Sequence, residues 1–456
     1  MTAASQATLV AAITCPHCGQ RFPPEDLLFV ARSPGLNFDH RLPEGQMRRF
    51  RPSHFTFQGD AIDPKGAVCS ETACPACHLN VPRILAMRES IPLSIFGSPS
   101  SGKSYLLGAM TQMLRVNAGS SGLRFDDVDT EANQIILDYE RRMFHQPTPD
   151  HWVFLEKTGE VGDWYSDVWF GPRRDPKSGA ELARNKKALP KPFLFRIDPT
   201  DGHPAADREG MARVVCLYDN AGEHFQGGGD RWNNVTGHLR DSQGLIFVFD
   251  PTQDQKFRAA CRERSGDRQF QDVKVDTQDI LYGNVMNRIL ALRTLLPTDR
   301  LRVPMVVALT KFDAWKFLLN TQTLPSPYRE VPLGTPDGRC IRAYDARVTQ
   351  AVSKACRDLL QSIAPHILST IEARCDPAGI LYLPVSATGG PAAGKTAAAR
   401  WPFAPEPPPQ DGYDYFLQRD IRPLWAEVPM LALLHRCAPM LVPTIQRKVE
   451  SQPVAT

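Results

Sequence analysis

No stretch of this chain stays apolar long enough to cross a bilayer: its longest such runs, residues 244–249 and 303–309, fall far short of the roughly 20 residues a spanning helix needs. An excess of one charge is missing too. Lys and Arg number 53 against 50 Asp and Glu, a net +3, which gives no strong electrostatic ground for gripping nucleic acid or an anionic membrane. The weakly apolar residues 7–13 are preceded by no Lys or Arg and run straight into a cysteine pair, so no secretory leader and a cytoplasmic location are expected. At 42% hydrophobic and 23% charged over 456 residues, wholesale disorder is excluded, and there is length for two or three domains.

Helical periodicity is scarce over residues 1–88, which are rich in Pro and Phe; what they carry instead is cysteine. Four of the chain's 11 cysteines form two tight turns, Cys15-Pro16-His17-Cys18 and Cys74-Pro75-Ala76-Cys77. Each turn presents two sulfurs to one ion, so Cys15, Cys18, Cys74 and Cys77 are expected to form a four-thiolate zinc cage, structural because no coordination position stays open. The 55 residues between Cys18 and Cys74 exceed the roughly 15–20 of a compact ribbon, which requires an insertion, and the aromatic, Arg-containing stretch 38–58 supplies one. Cys69, His17 and His78 are substitute ligands by chemistry. The seven single cysteines read as small hydrophobes in a reducing compartment.

Residues 91–96 read as a buried strand that enters Gly97-Ser98-Pro99-Ser100-Ser101-Gly102-Lys103-Ser104, followed by a helical pattern of Leu106, Leu107, Met110, Met113 and Leu114. In this strand–loop–helix setting the glycines let backbone N–H groups face phosphate oxygens, Lys103 reaches the β- and γ-phosphates, and the Ser104 hydroxyl binds magnesium. The phosphate site is expected to extend to Tyr105. The same pattern recurs from Gly389 to Thr396, but Trp401-Pro402 ends any helix there and the 61 residues beyond Lys395 are too few for the rest of a nucleotide-binding sheet. That second match reads as a loop.

Residues 117–190 read as an insertion whose Trp152, Trp164 and Trp169 make a local core. Strands are expected over 192–197 and 212–218, the second leading into Asp219-Asn220-Ala221-Gly222-Glu223. There Asp219 would hold magnesium through water, and the Gly222 amide would meet the γ-phosphate. A strand over 244–250, a helix over 277–294 and a strand over 303–309 lead to Thr310-Lys311-Phe312-Asp313. The Asp313 carboxylate can accept from guanine N1–H and the 2-amino group, a donor pair adenine lacks, while the Lys311 stem lies over the base. After a further helix, a strand over 380–385 delivers Ser386-Ala387-Thr388, placing the Ala387 amide to meet guanine O6.

In this order and at these strand ends, the four motifs resemble the Ras-like P-loop GTPases over about residues 91–390. The resemblance implies a three-layer α/β P-loop NTPase fold with a mainly parallel six-stranded sheet, GTP/GDP and magnesium as cofactors, and Lys103 and Glu223 as catalytic residues. Two departures bear on chemistry. Thr310 stands where many relatives carry Asn, which weakens the tie to the phosphate loop but keeps a hydroxyl. Glu223 stands where Gln commonly orients the attacking water; its carboxylate is repelled by the γ-phosphate, acts as a base, or points to solvent. Thr148 and Thr158 are candidates for closing over magnesium, against ordinary loop threonines, and Arg173 and Arg174 are either a cis arginine finger or a solvated pair.

More narrowly, the cysteine pairs, the long insertion and the segment from Ile421 to Leu434 resemble the bacterial double-GTPase family. That implies protein partners, a second GTPase or a GTPase-activating-type protein, in a regulatory or conflict system, while the near-neutral charge argues against a nucleic-acid partner. The expected plan is a zinc-ribbon-like module over 1–88, a GTPase domain over 89–400, a Pro-rich connector over 401–412 and a helical tail over 413–456. The expected function is a slow GTP-hydrolysing switch, the alternative a scaffold that binds GTP without useful turnover and docks partners through its zinc module.

Overall fold

Side chains on a strand alternate between faces, and the central strands of this chain carry apolar residues on both, which demands a covering layer on each side. The computed structural model describes residues 9–148, 151–155, 165–170, 185–220, 225, 235–262, 278–319, 323–333, 338–390 and 416–445. Its centre is one sheet of seven strands: β1 (Ser90–Gly97), β2 (Leu123–Asp127), β3 (Phe193–Pro199), β4 (Arg213–Asn220), β5 (Gly244–Phe249), β6 (Met305–Leu309) and β7 (Ile380–Pro384). Their order is β7-β6-β5-β1-β4-β3-β2. All neighbours pair in parallel except β3, which is antiparallel to both β4 and β2.

The sheet therefore has seven strands where six were expected, and the seventh, β2, comes from the start of the segment read as an insertion. Its residues explain why it escapes a hydrophobicity pattern. Leu123 and Phe125 are buried, but Arg124, Asp126 and Asp127 make it mostly charged, as suits an edge, and Asp126 pairs with Arg196 of β3 at 2.8 Å.

One face of the sheet presents Ile91, Leu93, Ile95, Val215, Leu217, Ile246 and Val248 to helices α1 (Lys103–Ala118) and α2 (Gln134–Phe144), and to a helix near the end of the described chain, Val428–Cys437. In that last helix every residue from Val428 to Leu434 is buried, so it is a core element, although the sequence suggested a tail beyond the domain. The other face, with Phe96, Phe247, Phe249, Val307 and Tyr382, packs against α3 (Gln278–Leu292), part of α4 (Ala346–Ile363) and α5 (Pro365–Arg374). The helix Val428–Cys437 is α6.

Over β3 and β4 this second face has a different cover. Leu194, Val214, Cys216 and Tyr218 pack against Ile13, Cys15, Phe22, Cys74, Cys77 and Val81, so the cysteine module forms the missing part of the third layer. The inserted segment is divided rather than self-contained. Its hairpin of Tyr165–Phe170 and Asn185–Pro190 joins the cysteine module, with the Trp169 N–H donating to Arg41 O at 2.9 Å, whereas Trp152–Val153 pairs with Phe416–Leu417. Trp152 and Trp169 thus serve different neighbours, and Trp164 lies outside the described residues.

A chain beginning at Glu89 should lose this cover. Each buried apolar side chain contributes roughly 1.5–3 kcal/mol, so exposing four of them removes much of a typical 5–15 kcal/mol stability. The truncated chain is expected to aggregate and bind an apolar dye; a soluble fragment melting cooperatively at the full-length temperature would contradict the layer assignment.

Candidate functional site

β1 ends at Gly97, and the chain turns through residues 98–102 into α1. Two residues of the turn have left-handed backbone, Ser100 (φ 62°) and Gly102 (φ 87°). A Cβ on Gly102 would meet no atom within 4 Å, so glycine is needed for its dihedral and not for space. Among the described residues no side chain caps the 16-residue helix that follows, and its positive dipole end faces the turn. Lys103, the first helical residue, forms a buried ion pair with Asp219 at the end of β4. Ser104 follows, partly buried; the Tyr105 hydroxyl accepts from Leu155 N–H at 3.3 Å and donates to Val153 O at 3.4 Å, pinning the inserted segment to α1.

Two glutamines hold this turn that the sequence did not single out. The Ser98 hydroxyl donates to Gln253 Oε1 at 3.0 Å, and Gln253 Nε2 donates to Pro99 O at 3.2 Å. Gln278 brackets the backbone of Asp250, accepting from its N–H at 2.8 Å and donating to its carbonyl at 2.9 Å. Lone glutamines in polar stretches carry no pattern; only their burial after β5 marks them.

The Thr310 hydroxyl donates to Ser101 O at 2.8 Å, within the turn after β1, and lies 3.2 Å from Phe249 O. The smaller residue therefore keeps a direct tie between the two motifs. Lys311 has φ 54°, and its ammonium pairs with the fully buried Asp250 at 2.8 Å. Asp313 accepts a hydrogen bond from the Ser386 hydroxyl, and the Phe312 N–H donates to Val385 O at 3.1 Å, so the ends of β6 and β7 are joined, with Ala387 half-buried beside them.

Gly97 to Tyr105, Asp219, Thr310, Lys311, Asp313, Ser386 and Ala387 all lie at the carboxyl ends of β1, β4, β6 and β7 or in the turns that follow. Gly222, Glu223, Thr158, Arg173, Arg174 and Lys395 lie outside the described residues. Thr148 is described, and its hydroxyl bonds with His151 Nδ1 at 2.6 Å.

The four knuckle sulfurs lie within 4.8 Å of one another, with Cys15 and Cys77 3.7 Å apart and Cys18 and Cys74 also 3.7 Å apart. Tetrahedral sulfurs at about 2.3 Å from one ion are about 3.8 Å apart, so the cluster has the dimensions of a metal cage. Both turns close alike. The Gly19 N–H donates to Cys15 O and the His78 N–H to Cys74 O, each at 3.0 Å, and both residues have left-handed backbone (φ 70° and 65°). Burial pushes the Cys15 thiol well up, so holding it as a thiolate beside three other sulfurs requires a cation. The substitute ligands are engaged elsewhere. His17 lies 2.9 Å from Pro190 O and 3.0 Å from Asn80 O, His78 lies 2.9 Å from Asp39, and Cys69 sits in a separate cluster near Asp63.

The two sites meet at Tyr218. Its hydroxyl donates to Pro16 O at 2.8 Å, inside the first knuckle, and its ring stacks on His238 at 4.1 Å. Burial raises its pKa well above the ordinary tyrosine value, which keeps it a donor. The next residue is Asp219.

No protein-family model matches this chain, and no curated protein matches its sequence. Among solved structures it is similar to the S. cerevisiae Ski7 GTPase-like domain bound to GTP, with 12% identity and a TM-score of 0.26, covering 66% of this chain and 43% of that one. It is also similar to sup35 complexed with GDP, with 11% identity and a TM-score of 0.21, covering 66% of this chain and 38% of that one. The similarity thus spans less than half of each of those chains. Strand order defines the class directly: a three-layer α/β fold whose central strand β1 runs through a tight turn into α1.

Thr310→Ala should leave Ser101 O buried without this donor and destabilise the chain by about 1–3 kcal/mol in denaturant unfolding. Thr310→Ser should recover most of that loss. Equal losses in both variants would assign the effect to the methyl group and remove the tie.

Proposed function

We propose that this chain binds GTP in the crevice at the carboxyl ends of β1, β4, β6 and β7 and hydrolyses it slowly, as a molecular switch. One observation carries the proposal: the phosphate-facing turn and the candidate base-reading loop are physically joined, Thr310 to Ser101, and the base-reading carboxylate of Asp313 is held by Ser386. Crevices at strand ends of this kind, beside a helix N-terminus, are where phosphate-bearing ligands sit in open α/β sheets.

In this arrangement the N–H groups from Gly97 to Ser104 receive the phosphate oxygens, and Lys103 neutralises the β- and γ-phosphates. Ser104 and Asp219 are the residues suited to holding magnesium, which would offset charge on the transferred phosphoryl group. Asp313 accepts from guanine N1–H and its amino group, and the Ala387 amide meets O6. Adenine would leave these groups unpaired, and the unpaired groups supply the selectivity. Glu223 is assigned to the attacking water, and its charge makes unaided turnover slow. Zinc suits the four-thiolate cage, where a filled coordination shell leaves a structural role. The cysteine pairs, the inserted segment and the C-terminal segment support a place in a bacterial regulatory or conflict system with a second GTPase or a GTPase-activating-type protein as partner.

GTP should outcompete ATP in a binding titration, Lys103→Ala should abolish binding, and Asp313→Asn should shift preference toward xanthine nucleotides, whose 2-oxo group suits an amide donor. Equal affinity of the natural chain for ATP and GTP would overturn guanine recognition.

Metal analysis of protein purified without chelators should find one zinc per chain. Because the module is part of the sheet's cover, Cys77→Ser should lower the melting temperature of the whole chain. A zinc-free protein of unchanged stability would dismiss the cage.

A further inference from the structure

The loop that carries Ser386 and Ala387 is clamped by a segment further along the chain. Ser386 N–H donates to Leu424 O at 3.0 Å, Leu424 N–H returns to Ser386 O at 2.8 Å, and Arg422 N–H donates to Thr388 O at 2.7 Å. The clamp is itself fixed. Ile421 and Trp425 are buried, the Trp425 indole N–H donates to Pro325 O at 3.0 Å, and α6, which begins at Val428, is embedded in the core.

Inside the loop the Ser386 hydroxyl does two things: it donates to Asp313 and accepts from the Gly389 N–H at 2.7 Å. Clamp and loop touch most closely at Gly389. This residue has φ 75°, and a Cβ there would lie 1.8 Å from Arg422 O and 2.7 Å from Arg422 C, so nothing larger than glycine fits without moving the clamp. Its neighbour Gly390 is different, since a Cβ there would meet nothing within 4 Å. Gly389 and Gly390 open the second phosphate-loop-like match of the sequence, and the structure gives the first of them a packing reason unrelated to phosphate.

We infer that residues 421–425 are a specificity-positioning element: by clamping Ser386–Gly389 they hold the Ser386 hydroxyl, and through it the Asp313 carboxylate, in the orientation that reads the guanine edge. The inference rests on the GTP assignment above. Its physical basis is that discrimination by a carboxylate depends on both oxygens staying aimed at two donors. If the carboxylate can rotate, it lowers the cost of the wrong base as well as the gain from the right one.

The experiment compares the natural chain, Gly389→Ala and Gly390→Ala for affinity to GTP, ATP and inorganic tripolyphosphate, the last meeting only the phosphate turn. Gly389→Ala should lower the GTP-to-ATP affinity ratio by about tenfold or more while tripolyphosphate affinity stays as in the natural chain. Gly390→Ala should change neither. Should Gly389→Ala fail to fold by circular dichroism, Ser386→Ala removes the bridging hydroxyl directly, and the same loss of ratio at constant tripolyphosphate affinity is expected. An unchanged ratio in the folded variant overturns the clamp and leaves the GTP assignment standing, as does an equal loss for all three ligands, which is general loosening. Failure of the natural chain to bind either GTP or tripolyphosphate overturns the assignment, and the clamp with it.

Discussion

The parallel register between β1 and β4 fixes where Lys103 and Asp219 meet. Ile95 stands opposite Asp219 and Phe96 opposite Asn220, so the two strands end level, and the Asn220 amide locks that end by donating to Ile95 O at 3.1 Å. From level ends, one turn brings Lys103 back onto Asp219. A slip of one residue would exchange the faces of β4, turning Val215 and Leu217 out of the helical layer and Tyr218 away from the cysteine module. The differently shaped apolar faces of β4 therefore specify both the crevice at the strand ends and the docking of the cysteine module.

Charge is kept in this crevice by pairing. Lys103 with Asp219 and Lys311 with Asp250 each place a cation against a carboxylate whose side chain is almost wholly buried. Removing one partner from such a pair strands a buried charge at a cost of about 3–5 kcal/mol, so these lysines are bound into the fold as well as suited to a ligand. On the proposed function, phosphate and cation binding are therefore linked here. An anion drawing on Lys103 leaves Asp219 needing a positive charge, and a cation beside Ser104 supplies one, so on the proposed function the two ligands favour each other.

Much of this was legible in the sequence because phosphate-loop patterns and cysteine turns need particular residues at fixed spacings, and because β1, β4, β6 and β7 are short apolar runs that end at those motifs. The strand β2 was not, since three of its five residues are charged and only pairing with β3 makes it a strand. The helix α6 was misplaced for a related reason: the Pro-rich residues 401–412 suggest a boundary, but whether a helix belongs to a core depends on what it packs against, and that is not written locally. Gln253 and Gln278 fall in the same class. Cys216 reads as an ordinary small hydrophobe, and it is one, yet the surface it packs on is the cysteine module, a partner more than 130 residues earlier in the chain.

That partner changes what a structural metal does. A structural zinc contributes roughly 10–16 kcal/mol to the folding of a small module, as much as the whole stability of a typical domain. On the proposed zinc assignment the cysteine module stays folded only with its metal, and it covers the face of β3 and β4 that Leu194, Val214, Cys216 and Tyr218 present. Tyr218, bonded to the first knuckle through Pro16, immediately precedes Asp219, and backbone rigidity does not stop between adjacent residues of one paired strand. The cysteine cage thus bears on the proposed phosphate crevice without approaching it, by fixing the strand from which Asp219 reaches Lys103.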